Sequence, residues 1–115
     1  MRKHLTIGLL AVGLLDVIGP AQTKPPQLYG YGVGSCGEWL HDSNGLALTA
    51  KHQWLLGYVT GVSVMIASAK GTPLRETDGS GMFAFIDRYC EAHPLDRITT
   101  ASAMLVQALS PATTP

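Results

Sequence analysis

The chain has 115 residues and balances eight Lys/Arg against eight Asp/Glu, with only 14% of residues charged and 46% hydrophobic. This length sets one domain with a modest core. The absence of a basic cluster argues against nucleic-acid binding, and the absence of a charge block argues against an acidic tail or a polybasic membrane patch.

The N-terminus reads as an export signal. Met1-Arg2-Lys3-His4 is basic, Leu5 to Ile18 is mostly apolar, and Gly19-Pro20-Ala21 supplies small residues for cleavage. The apolar stretch is short for a membrane span, which needs about 20 residues, and Asp16 interrupts it. A signal peptide over 1–21, a periplasmic destination and no stable membrane span after cleavage are therefore expected. Residues 22–115 then carry six Lys/Arg and seven Asp/Glu, a net charge of −1 with histidines neutral.

Residues 22–34 form a Pro/Gly-rich leader, with Pro25-Pro26 and the run Tyr29-Gly-Tyr-Gly-Val-Gly34 disfavouring a helix. It is expected to be flexible, or else to lay Tyr29 and Tyr31 across the domain. Residues 35–110 make up the helical domain, and 111–115 a disordered tail. A short first helix starts after Ser35, where Glu38 three residues on completes a capping box, and stops at Ser43-Asn44-Gly45.

A second, longest helix is predicted over about 50–69 with Thr49 as its N-cap. Trp54, Tyr58, Val62, Met65, Ile66 and Ala69 fall at helical spacing, widened by Leu55 and Val59. Its nearly apolar second half predicts a central position. Gly57 and Gly61, four apart, predict close approach by a neighbouring helix, because each weakens the helix by about 1 kcal/mol relative to alanine. The run from Lys70 to Gly81 is a connection rich in turn residues. A third helix follows over about 80–92, with Met82, Phe85, Ile86, Tyr89 and Cys90 inward, and His93-Pro94 ends it. A fourth, from near Leu95 or Asp96 to Leu109, turns Ile98, Ala101, Leu105, Ala108 and Leu109 inward with Met104 beside them. No segment alternates as a strand. The fold class is all-α, a small bundle of about four helices.

Cys36 and Cys90 are the only cysteines. In an exported chain one such pair predicts one disulfide, here stapling the short first helix to the third. Closing that loop stabilises the fold by about 4 kcal/mol in the chain-entropy account. His41, His52 and His93 match no zinc spacing and read as surface or capping residues. Glu38, Asp42, Asp87 and Glu91 read as solvated helix faces, and Trp39 and Trp54 as core. No nucleophile elbow or phosphate loop is present. Neither an enzyme, a metal nor a cofactor is expected.

The pattern Ser35-Cys36-Gly37-Glu38-Trp39-Leu40, Trp54-Leu55-Leu56-Gly57-Tyr58 with Gly61, Thr77-Asp78-Gly79, and Tyr89-Cys90 with Pro94 resembles the HdeA/HdeB family. That family consists of small periplasmic helical proteins with one disulfide, and Cys36 and Cys90 match its positions. The resemblance implies an acid-stress chaperone, a possible homodimer at neutral pH that loosens in acid and binds unfolded client proteins. The candidate client surface is Trp54, Tyr58, Val62 and Ile66. The stretch Leu56 to Val62, His93-Pro94 and Ala103 to Leu109 are also similar to Rap/Tai amidase immunity proteins, periplasmic inhibitors of cell-wall amidases. That likeness implies a binding protein for a specific partner.

Overall fold

The computed structural model describes residues 24–42 and 44–112. The expected signal peptide and the end of the expected tail lie outside them. The described residues form four α-helices: α1 (Cys36–His41), α2 (Gly45–Lys70), α3 (Gly79–Ala92) and α4 (Ile98–Leu109). A 3-10 turn, Gly30–Val33, precedes α1. Among the described residues there is no strand, only an isolated antiparallel bridge between Ser35 and Arg97.

A helix as short as α1 cannot hold itself in water. The first four N–H groups of any helix lack intrahelical partners, and in α1 all four find one elsewhere. Cys36 N–H donates to Asp96 O at 2.7 Å and Gly37 N–H to Pro94 O at 3.0 Å. Glu38 N–H donates to Ser35 Oγ at 3.1 Å, while the bond from Trp39 N–H to Ser35 O begins the helix's own ladder. The Glu38 carboxylate accepts in return from Ser35 N–H at 2.8 Å, completing the expected capping box. The α3–α4 turn thus serves as a second cap for α1.

The Cys36–Cys90 disulfide closes the same junction, with Cα atoms 4.8 Å apart. Around it lie Trp39, Leu55, Val59, Leu74, Ile86, Ile98, Ala101 and Leu105, all buried. The stripes expected on α3 and α4 largely face this core. The exceptions are Met104 and Ala108, which are exposed, and Ser102, which is buried with its hydroxyl donating to Ile98 O at 2.8 Å.

Helix α2 departs from expectation in three ways. It starts at Gly45 rather than at residue 50, and Thr49 is not its N-cap: the Thr49 hydroxyl bonds back to Gly45 O inside the helix. It is peripheral rather than central, with only Lys51, Leu55 and Val59 buried. Gly57 and Gly61 approach no neighbour, since nothing lies within 4 Å of a Cβ added at either. The main packing partners of α2, the 3-10 turn and α4, lie along one strip of it, and at 26 residues, about 39 Å, it is far longer than the 12-residue α4 at about 18 Å. Gly71, at φ +69°, ends it in the left-handed conformation that glycine adopts without penalty.

Of the two courses open to the leader, residues 29–34 take the one across the domain. Gly32 is buried beneath Trp54, and a Cβ there would lie 2.1 Å from Trp54 Cζ2. Only glycine lets the chain pass so close.

Candidate functional site

The stripe Trp54, Tyr58, Val62 and Ile66 lies on the half-buried side of α2. Trp54 donates its indole N–H to Tyr29 O at 3.0 Å and stacks on Tyr58, the ring centroids 5.3 Å apart. The leader thus occupies part of this stripe. Farther along, Ile66 faces a groove of about 320 Å³ that also involves Lys70, Thr72 and the segment Ser110–Ala112.

The open side of α2 is the other one. Leu46 and Val64 on it are 89% and 62% exposed, and Met65, 70% exposed, stands at its margin on the Tyr58 side. Gln53, Gly57, Gly61 and Ser68 lie exposed between and beside them. From Gly45 to Ala69 the only Lys, Arg, Asp or Glu is Lys51, and Lys51 is buried. A solvent-facing helix normally sets charged residues against water. This one turns an uncharged, partly apolar face outward, the pattern of an interaction surface.

A groove of about 260 Å³ adjoins that face, between Val59, Ser63 and Val64 of α2, Leu74 of the connection, Met82 of α3 and Leu109 at the end of α4. The connecting residues 72–78 run without a turn or bend. Arg75 anchors them: its N–H donates to Leu109 O at 2.8 Å and its guanidinium to Ala108 O.

A polar cluster sits nearer the N-terminus of α2, where α1, α2 and α3 meet. The Lys51 ammonium donates to Trp39 O, one of the carbonyls left open at the C-terminus of α1, and lies 4.8 Å from the centroid of the Trp39 ring. Trp39 in turn donates its indole N–H to Asp87 Oδ1 at 2.7 Å. His52 stacks on Phe83 with centroids 3.7 Å apart. Burial lowers the Lys51 pKa, against opposing contributions from Asp87 and Asp42. Burial, then the Lys51 charge, lower that of His52, with Asp87 opposing.

Two expectations are corrected here. His52 is a half-buried aromatic partner rather than a surface residue. Asp87 is exposed overall but holds the buried Trp39 indole. Glu38 serves in the capping box, as its spacing from Ser35 predicts. Lys51 was legible in one respect, as the lone charge between Gly45 and Ala69, a position that invites a specific partner.

Among the described residues, no group of three or more His, Cys, Asp or Glu is placed to hold a metal ion. No helix there is long and apolar enough to cross a membrane. Both cysteines are committed to the disulfide. Compared with protein-family models, curated proteins and solved structures, the chain gives no significant match.

Proposed function

We propose that this chain is an exported, disulfide-stapled protein that binds other polypeptides, acting as an acid-stress chaperone for unfolded clients. One observation carries the reading: α2 presents an outward face that has exposed apolar side chains and no formal charge. A catalyst would need converging polar groups in a pocket, whereas a client binder needs an apolar surface that water does not screen. The client-binding surface is placed on Leu46, Val64 and Met65, because the leader covers part of the Trp54 stripe.

Charge supports the acid component. At about pH 2–3 the carboxylates are protonated, and six Lys/Arg, three His and the amino terminus bring residues 22–115 to roughly +10. Self-repulsion then loosens the bundle, while the buried disulfide keeps α1 attached to α3.

The test is aggregation of an acid-labile client at about pH 2–3, with and without the oxidised protein. Suppression in acid supports the reading, and its loss in the Val64→Lys/Met65→Lys variant places the site. Lysine is chosen because it stays charged in acid, where glutamate does not. A protein that remains folded in acid and suppresses nothing overturns the chaperone reading in favour of a specific partner.

A further inference from the structure

We infer that the groove between α2 and the connecting segment receives an extended, uncharged peptide segment, which pairs with the backbone of Leu74–Thr77 as an added strand. The inference rests on the reading of the chain as a polypeptide binder and specifies how the polypeptide is held.

The first ground is the backbone. Residues 72–78 run without turn or bend, and Thr72, Pro73, Arg75, Glu76 and Thr77 are exposed. Among the bonds between described residues, the Arg75 N–H is the only main-chain group of 72–77 with a main-chain partner. In extended chain, successive residues point their N–H and C=O groups to opposite sides. With Arg75 N–H turned to Leu109 O, that alternation would turn the N–H and C=O groups of Leu74 and Glu76 away from α4. An edge of free donors and acceptors is a template for a further strand.

The second ground is the groove itself, about 260 Å³, large enough for one or two apolar side chains. Val59, Val64, Leu74, Met82 and Leu109 supply the apolar half of its lining, and Thr60, Ser63 and Thr77 add uncharged polar groups. A strand presents every second side chain to one face, so a paired segment would place alternate residues into this lining. The third ground is charge. The α2 wall has none, and the rim carries one cation, Arg75, beside one anion, Glu76. The matching segment is therefore neutral and apolar at alternate positions. A helical ligand would fill the groove but leave the backbone edge unused.

The experiment titrates the full oxidised chain at neutral pH into a fluorescent, end-capped peptide of alternating Val and Thr, read by anisotropy. A twin peptide, N-methylated at alternate residues, keeps the apolar side chains but cannot pair along one edge. Saturable binding that weakens at least about tenfold in the twin is expected, since two or more main-chain hydrogen bonds are lost. Ser63→Trp, which fills the groove from half-exposed helix surface, should weaken binding comparably with unchanged helicity. Equal binding of the two peptides, or binding indifferent to Ser63→Trp, overturns the inference. If neither peptide binds but client aggregation in acid is still suppressed, strand pairing falls and the chaperone reading stands. If there is neither binding nor suppression, both fall.

Discussion

The Lys51 ammonium lies over the indole of Trp39 and donates to the carbonyl of that same residue. Through this one side chain α2 holds the C-terminus of α1. Its N-terminus is held independently by Asp96, Pro94 and the disulfide. Replacing Lys51 by Met keeps most of the buried stem but removes the charge-assisted hydrogen bond and the cation–π contact. Relief of desolvation offsets part of the loss. The expected net loss is about 1–2 kcal/mol, or a Tm lower by roughly 4–16 °C. Calorimetry checks it, and an unchanged Tm would remove Lys51 from the account of how α1 is held.

The disulfide is expected to resist reductant in the folded protein, because Cys36 and Cys90 are both fully buried. Once urea opens the chain, reduction should proceed. The sequence separation of 54 places the stabilisation from loop closure at about 4 kcal/mol. A Cys36→Ala/Cys90→Ala variant should therefore unfold at much lower urea than the oxidised protein, and α1 should lose amide protection first.

Glycines of one chain should respond oppositely to alanine. At Gly32 the added Cβ meets the Trp54 ring and lies 2.8 Å from Thr99 Cγ2, so Gly32→Ala should destabilise by about 1–3 kcal/mol. It should also free the leader to protease and red-shift tryptophan emission. At Gly57 and Gly61 nothing lies within 4 Å, so alanine should stabilise each site by about 1 kcal/mol through helix propensity. Chemical melts of the three variants measure both signs.

Acidification through the histidine range should weaken the fold at His52. Burial and the Lys51 charge hold its pKa below the ordinary value of 6.5. Between that value and the lower folded pKa, the unfolded chain binds more protons than the folded one, so stability falls as pH drops through this window. Above it, His52 is neutral in both states and contributes no slope. His52→Phe retains the stack on Phe83 without a titrating group. Its Tm should therefore fall less than that of the wild type between about pH 7 and about pH 5. Parallel Tm profiles would exclude His52 as an acid-sensitive element.

Local chemistry by itself determined much of this protein. The capping box at Ser35 and Glu38, the stop at His93-Pro94, the inward stripe of α3 and the pairing of the only two cysteines all follow from interactions within a few residues or from simple counting. The tertiary structure alone decided which side of α2 is covered. The helix is apolar almost all round, so its sequence marks no preferred face, and only the packing of the 3-10 turn and α4 on one side of it leaves Val64 and Met65 in water. The same holds for Lys51, His52 and Asp87. Their roles depend on α1, α2 and α3 meeting at Trp39, and the burial that sets their energetics is a property of the assembled bundle.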